Sequence, residues 1–139
     1  MKIEIRYQSR GGNTKAVAEA IARAAGATAE PVSVPLTGQA DVLIIGGGVY
    51  GFELDSALIG FLNGLTPDSA KSVAVFSTAG FVKGTGKIAA ILKTKGVHIC
   101  EYALPMKMGF QNYGGKKGGV TLTEKQQLQI DEFAKNVKA

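Results

Sequence analysis

Two short, unbroken apolar runs constrain the fold of this chain more than any other feature. Val42–Ile45 and Val73–Phe76 contain no polar side chain, whereas a strand with one face in water alternates apolar and polar residues. Uninterrupted strands of this kind lie inside a sheet that is covered on both faces. Helical patterns separate them from the other strand candidates, so the sequence predicts right-handed βαβ units and a parallel sheet in an α/β domain.

The other elements complete the same alternation, and 139 residues suit one domain spanning residues 1–139. The last helix is expected to begin with a capping box, because Thr123 and Gln126 have the required spacing. The predicted strands are Ile3–Tyr7, Ala29–Val34, Val42–Ile45, Val73–Phe76 and Val97–Tyr102, and the predicted helices are Thr14–Ala25, Ser56–Leu65, Lys87–Lys95 and Thr123–Val137.

Two connections depart from the alternation. Pro35–Ala40, between the second and third strands, is too short and too rich in helix breakers for a helix. We therefore expect the second strand to be a poorly covered edge, with Val32, Val34 and Leu36 exposed or buried against a second copy in a homodimer. The second unusual connection, Pro105–Thr121, is predicted to be a long, glycine-rich, basic loop.

Composition excludes several kinds of function. Cys100 is the only cysteine and His98 the only histidine, which argues against an internal disulfide, a cysteine-ligated metal site and histidine-assisted nucleophilic catalysis. No run is long and apolar enough to span a membrane, and Met1–Arg6 alternates polar and apolar residues rather than opening a signal peptide. We expect a cytoplasmic protein. The net charge of +5 is scattered and favours acidic partners or phosphates over nucleic acid.

The segment Ser9-Arg10-Gly11-Gly12-Asn13-Thr14 carries the clearest functional signal. It directly follows the first strand and opens the first helix, so its backbone N–H groups and the helix dipole would face an anion. The alternative is an ordinary turn in which Asn13 or Thr14 caps the helix. No Gly-Lys-Ser/Thr follows, so it is not a Walker loop, and it lacks the dinucleotide spacing G-x-G-x-x-G.

Two further glycine-bearing loops are expected beside it, because ligands of such sheets bind at the carboxyl ends of the strands. Gly46–Glu53 follows the third strand and Ser77–Phe81 follows the fourth. They contain the aromatic residues Tyr50, Phe52 and Phe81. These rings either stack on a planar heterocycle or plug the edge of the sheet, and the pattern alone leaves both interpretations open.

These loops together carry a resemblance to a known family. The pattern Tyr7-x-Ser9-x-x-Gly12-Asn13-Thr14 resembles the FMN phosphate loop of flavodoxins. Tyr50-Gly51-Phe52-Glu53 is similar to the short-chain flavodoxin loop beside the isoalloxazine, and Phe76–Phe81 is similar to the second flavin loop. The resemblance implies a flavodoxin-like three-layer sandwich around a five-stranded parallel sheet of order 2-1-3-4-5, here without a covering helix between strands 2 and 3.

The resemblance also implies roles for individual residues. Tyr50 would flank the isoalloxazine, the Gly51 carbonyl would meet N5 and Glu53 would accept from N3, while Thr78 would reach the phosphate and Phe81 would stack on the ring. This chain departs from the family at Gly11 and Gly48, where hydroxyl residues are usual, at Ala79, where Tyr is frequent, and at Arg10, which either contacts the phosphate or points to solvent. The implied cofactor-binding set is Ser9, Arg10, Gly11, Gly12, Asn13, Thr14, Gly48, Val49, Tyr50, Gly51, Phe52, Glu53, Thr78, Ala79, Gly80 and Phe81.

The function implied is that of an FMN-binding electron-transfer protein that works with redox partner proteins. FMN is expected rather than FAD, since there is no second glycine fingerprint for a pyrophosphate. An alternative is an FMN-dependent oxidoreductase on the same fold, such as a quinone reductase or a menaquinone-dependent protoporphyrinogen oxidase. A third is a flavin-free interaction domain. Lys83, Lys107, Lys116 and Lys117 near the flavin end predict a partner with an acidic docking surface.

Overall fold

The computed structural model describes residues 1–79, 84–109, 112 and 119–138. The predicted alternation of strands and helices is present, with one extra strand and several shifted boundaries. The elements are β1 (Ile3–Gln8), α1 (Asn13–Ala25), β2 (Ala29–Pro31), β3 (Ala40–Tyr50), β4 (Glu53–Leu54), α2 (Ser56–Asn63), β5 (Ala70–Ala79), α3 (Thr85–Lys93), β6 (Ile99–Lys107) and α4 (Glu124–Lys138).

The main sheet runs in the order β2-β1-β3-β5-β6, with parallel pairing throughout. This is the predicted order of five parallel strands, but the predicted strand count is wrong because β4 adds a sixth strand, antiparallel to the end of β3. Gly51 and Phe52 have φ values of 56° and 68°, and two successive positive φ angles form the tight turn that folds a strand back as a hairpin. The local sequence does not predict β4, because Phe52 is an unusual residue at a position with positive φ.

Two apolar clusters lie on opposite faces of the sheet, as expected of strands covered on both sides. Along β3, Ile44 belongs to the cluster beneath α1 and α4, whereas Leu43 and Ile45 belong to the cluster beneath α2 and α3. Successive strand residues point to opposite faces, which places the two helix layers on either side of the sheet. In the described part of the chain, no helix is both long enough and apolar enough to cross a membrane.

The glycines that follow the third predicted strand, Val42–Ile45, belong to β3, so the prediction of a loop beginning at Gly46 is wrong. A Cβ on Gly46 would lie 2.5 Å from ring carbons of Phe76, and one on Gly47 would lie 2.5 Å from a methyl carbon of Leu58. Side chains from β5 and α2 therefore pack directly against the backbone of β3 at these two glycines. This packing extends β3 to Tyr50 and carries it to the edge where the loops meet.

No helix lies between β2 and β3, where every residue is described, as the sequence predicts. The fully buried Arg6 side chain holds this crossing instead: Nε donates to the Val34 carbonyl (2.8 Å) and Nη2 to the Pro35 carbonyl (3.0 Å). Nη1 also pairs with Glu4 Oε2 at 3.0 Å. Hydrogen bonds from Arg6 therefore hold the β2–β3 crossing at this edge of the sheet, where no helix is present.

β2 ends at Pro31 rather than at the predicted Val34, because a turn closed by the Val34 N–H and the Pro31 carbonyl (3.0 Å) redirects the chain. Val32, Val34 and Leu36 are half-buried, and Val32 and Leu36 pack against the cluster beneath α2 and α3. This edge is therefore better covered by the chain itself than the short connection suggested.

The predicted capping box of the last helix is confirmed. Gln126 N donates to Thr123 Oγ1 (3.2 Å), and Thr123 N donates to Gln126 Oε1 (2.9 Å). The Gln126 amide also donates to the carbonyl of Lys107 (2.9 Å), which ties α4 to the end of β6. β6 reaches Lys107, so the predicted loop Pro105–Thr121 begins later than expected, and its residues 110–111 and 113–118 lie outside the described part of the chain.

Candidate functional site

The turn between β1 and α1 brings backbone N–H groups to the carboxyl edge of the sheet. Gly12 is the N-terminal boundary residue of α1, with φ 96°, and no side chain caps the helix. The interpretation of Asn13 or Thr14 as a helix cap is therefore wrong, since α1 begins at Asn13. An uncapped first turn leaves N–H groups that an anion can bind.

Ser9 closes this turn from its other end. Its hydroxyl oxygen accepts a hydrogen bond from Gly12 N at 3.1 Å, so the hydroxyl proton itself is not used in that bond. A Cβ on Gly11 would meet no atom within 4 Å. The turn is thus fixed internally at Ser9 and Gly12 but open to space at Gly11.

Thr14 and Thr78 join the first turn to the end of β5. Their Oγ1 atoms lie 2.7 Å apart although the residues are 64 positions apart in the sequence. Both side chains are almost completely buried, with 1% and 4% exposure. Two hydroxyls that pair in this way leave one proton free to donate to a ligand.

Tyr50, the last residue of β3, turns its side chain back along the strand. The Tyr50 hydroxyl oxygen accepts from Arg10 N at 3.1 Å. A Cβ on Gly48 would lie 2.9 Å from that oxygen and 3.0 Å from Cζ of the ring. The missing side chain at Gly48 therefore gives Tyr50 the space to reach the turn after β1.

Arg10 connects the first turn to the start of α2. Its Cζ lies 4.1 Å from the centroid of the Tyr50 ring, and its Nε lies 2.7 Å from Asp55 Oδ2. Asp55 is also the N-cap of α2, where Oδ1 accepts from Ala57 N at 2.8 Å. The Ala57 N–H and then the Arg10 guanidinium hold the pKa of the Asp55 carboxyl below its usual value.

Asp55 is a site residue that was not predicted from the sequence. Its only signal was an acidic residue immediately before a predicted helix, which indicates a cap and not a partner for Arg10. Arg10 itself was expected to contact a phosphate or to point to solvent. In the structure its side chain is 56% exposed, yet it pairs with Asp55.

The β3–β4 hairpin forms the other wall of the site. Gly51 and Phe52 are its turn residues, Phe52 is 61% exposed, and Glu53 is exposed at the start of β4. Val49 is half-buried and packs against the apolar cluster on the face of the sheet that carries α2 and α3. Ala79 ends β5, and the site residues Gly80 and Phe81 that follow it lie outside the described residues.

The donors gathered at this edge suit a phosphate. Four hydroxyls, from the first turn, the start of α1 and the ends of β3 and β5, lie at or near the amides of the first turn, and the Gly11 position leaves space beside them. From β1 the chain adds β2 on one side and β3 on the other, so the strand order reverses between β1 and β3. Open α/β sheets bind ligands at such a switch point. The hydroxyl residues are Ser9, Thr14, Tyr50 and Thr78.

Solved structures share the fold of this chain, although no protein-family model and no curated protein sequence matches it. Rubredoxin oxygen:oxidoreductase from Desulfovibrio gigas superposes with a TM-score of 0.73 at 18% identity, over 98% of this chain and 35% of that chain. A flavodoxin from the Archaea superposes with a TM-score of 0.61 at 18% identity, over 100% of both chains. The apo form of an NADH:FMN oxidoreductase superposes with a TM-score of 0.57 at 16% identity, over 96% of this chain and 89% of that one.

Proposed function

Because the chain has the flavodoxin-like fold, we propose that it binds one FMN at the carboxyl edge of its sheet and carries electrons between redox partner proteins. The meeting of Thr14 and Thr78 carries this proposal. Their hydroxyls lie 2.7 Å apart beside an uncapped helix N-terminus. Buried hydroxyls and free amides at one point form a site for a phosphate group.

The first turn would hold the phosphate of FMN. Its amides, the Ser9 hydroxyl and the Thr14–Thr78 pair supply neutral donors, and the dipole of α1 favours the dianion. When bound, FMN supplies one-electron and two-electron chemistry, which the surrounding residues tune. FMN is proposed rather than FAD, because the chain has a single glycine-rich turn of this kind after a strand.

The hairpin would hold the edge of the flavin ring. Glu53 offers an exposed carboxylate that can accept a hydrogen bond from N3. Gly51 has a positive φ, a conformation that glycine adopts at no steric cost, so its peptide is free to present a carbonyl to N5.

A partner protein with an acidic docking surface completes the proposal. Lys107 is exposed at the end of β6, and the Arg10 side chain is 56% exposed at the first turn. The chain carries a net charge of +5, which would speed encounter with an acidic partner.

An oxidoreductase that acts on a small molecule without a protein partner is the second candidate. The NADH:FMN oxidoreductase matches over 89% of its length, so enzymes of that class have this fold without further domains of comparable size. The match covers 35% of the rubredoxin oxygen:oxidoreductase chain, so the same fold also forms part of a larger oxidoreductase.

The visible absorption spectrum of the purified protein tests the cofactor. We expect a flavin spectrum, with FMN as the flavin released on denaturation and identified by chromatography. Thr14→Val should lower FMN retention, whereas Thr28→Val, an exposed position before β2 at the opposite end of the sheet, should not. Release of mainly FAD, or no flavin binding after reconstitution, would contradict the proposal.

Turnover assays separate the two candidate functions. An electron carrier is expected to show no oxidation of NADH or NADPH and no quinone reduction unless a redox partner protein is added. Sustained turnover by the protein alone would favour the oxidoreductase.

A further inference from the structure

We infer that Tyr50 donates its phenolic hydroxyl to the flavin phosphate and so selects FMN over riboflavin, rather than flanking the flavin ring. This inference rests on the proposed function. The side chain reaches the first turn from two residues beyond Gly48, on the same face of β3. It fills a position that a side chain at 48 would otherwise occupy.

The direction of the Tyr50 side chain is the first observation. Its hydroxyl oxygen lies 3.1 Å from Arg10 N, a member of the turn that would hold the phosphate. A Cβ on Gly48 would be 2.9 Å from the same oxygen. The hydroxyl therefore lies between the end of β3 and the first turn, where a phosphate in that turn would be its neighbour.

The free proton of the hydroxyl is the second observation. A phenol has one donor and can also accept, and here the oxygen accepts from Arg10 N. Among the described residues, the Tyr50 hydroxyl donates to no other group. A phosphate oxygen is a strong acceptor for that proton, since hydrogen bonds to charged groups are the stronger ones.

The Arg10 side chain is the third observation. Its guanidinium lies over one face of the Tyr50 ring, 4.1 Å from the centroid, and Asp55 holds it there at 2.7 Å. That face of the ring is therefore covered and does not stack on a flavin. Arg10 thus acts as a positioning residue that fixes the direction of the Tyr50 hydroxyl.

The test compares two ligands that differ only in the phosphate. Dissociation constants of FMN and riboflavin are measured by quenching of flavin fluorescence with flavin-free protein. For Tyr50→Phe we expect FMN affinity to fall at least tenfold and riboflavin affinity to stay unchanged. Tyr102→Phe is the matched control, because this tyrosine is 42% exposed on β6.

Inorganic phosphate provides a second readout that needs no flavin. Titration into the flavin-free protein should shift the backbone amide signal of Arg10 in ¹⁵N spectra, and Tyr50→Phe should weaken this binding. An unchanged ratio of FMN to riboflavin affinity in Tyr50→Phe would overturn the inference. Tighter FMN binding would do so as well, because the hydroxyl would then compete with the phosphate for Arg10 N.

Failure of the proposed function has a different signature. If wild type binds inorganic phosphate and Tyr50→Phe binds it less well, but neither takes up flavin, the FMN proposal fails while the role of Tyr50 at an anion site stands. Equal loss of FMN and riboflavin binding in Tyr50→Leu, with no effect of Tyr50→Phe, would return Tyr50 to the flank of the ring.

Discussion

The guanidinium of Arg10 lies over the phenol ring of Tyr50, with Cζ 4.1 Å from the ring centroid. These residues are 40 positions apart, and the backbone N–H of Arg10 also donates to the Tyr50 hydroxyl. A cation over a ring that is not fully buried stabilises by about 0.5–1 kcal/mol. The contact therefore fixes the turn after β1 against the end of β3 before any ligand binds.

Gly48→Ala tests whether Tyr50 needs the empty position at 48. The added methyl would lie 2.9 Å from the Tyr50 hydroxyl oxygen and 3.0 Å from Cζ, so the ring must move away from Arg10 N. We expect weaker FMN binding and a shifted Arg10 amide signal. Gly60→Ala in α2 is the control, because its Cβ would meet nothing within 4 Å.

A double variant extends this prediction. Gly48→Ser with Tyr50→Leu removes the phenol and places a hydroxyl directly on residue 48 of β3. We expect this variant to bind FMN more tightly than Tyr50→Leu alone, as measured by quenching of flavin fluorescence. Equal affinities for the two would show that a hydroxyl at this place contributes nothing.

Asp55→Asn isolates the charge that faces Arg10. Asparagine caps helices about as well as aspartate, so the cap of α2 is kept while the ion pair at 2.7 Å is lost. At pH 7 we expect the free energy of unfolding to fall by about 0.5 kcal/mol, the scale of a partly exposed pair. Urea denaturation provides the measurement, and Asp68→Asn in an exposed loop is the control for charge.

The same pair gives a pH dependence with a defined sign. The pKa of Asp55 is lowered in the folded chain from 3.8, so its stabilising effect is present above that value and is lost as pH falls through the folded pKa. The stability difference between wild type and Asp55→Asn should therefore shrink below about pH 4. A difference that grows on acidification would contradict the ion pair.

Arg6→Met tests the hydrogen bonds that hold the β2–β3 crossing. The substitution leaves the carbonyls of Val34 and Pro35 without this donor and removes one of the hydrogen bonds to the Glu4 carboxylate. Leaving acceptors of this kind without a donor costs about 1–3 kcal/mol, which urea denaturation would detect. Arg23→Met on the exposed side of α1 should change stability by less than about 0.5 kcal/mol.

The charge around the site gives a prediction about reduction potential. Glu53 and Asp55 are the acids of the hairpin region, while Arg10 lies in the first turn and Lys107 ends β6. Lys83, Lys116 and Lys117 belong to the neighbouring connections in the sequence and lie outside the described residues. A unit charge about 10 Å away at an effective dielectric of about 30 contributes on the order of 1 kcal/mol, which is roughly 40 mV for one electron.

We therefore expect the second one-electron reduction of bound FMN to be less negative than in acidic flavodoxins. It should become more negative as salt screens the cations. Redox titrations at low and high ionic strength check this. A second potential that does not respond to salt would show that these charges do not act on the flavin.

Local sequence patterns determined the architecture. Val42–Ile45 and Val73–Phe76 predicted strands buried on both faces, and both lie inside the sheet. Pro35–Ala40 predicted a crossing without a helix, and Thr123 with Gln126 predicted the cap of α4. These features depend on residues that are close together in the chain, so they can be predicted from local sequence patterns.

Only the tertiary structure decided how the site is arranged. That β3 continues through Gly46 depends on the ring of Phe76, that Tyr50 points back depends on the empty position at Gly48, and that Arg10 is held depends on Asp55, 45 residues away. Such contacts join residues that no periodic pattern relates, since they arise only when separate strands end at one edge. Sequence thus brought the loops to the same edge, while packing across the strands set the direction of each side chain within it.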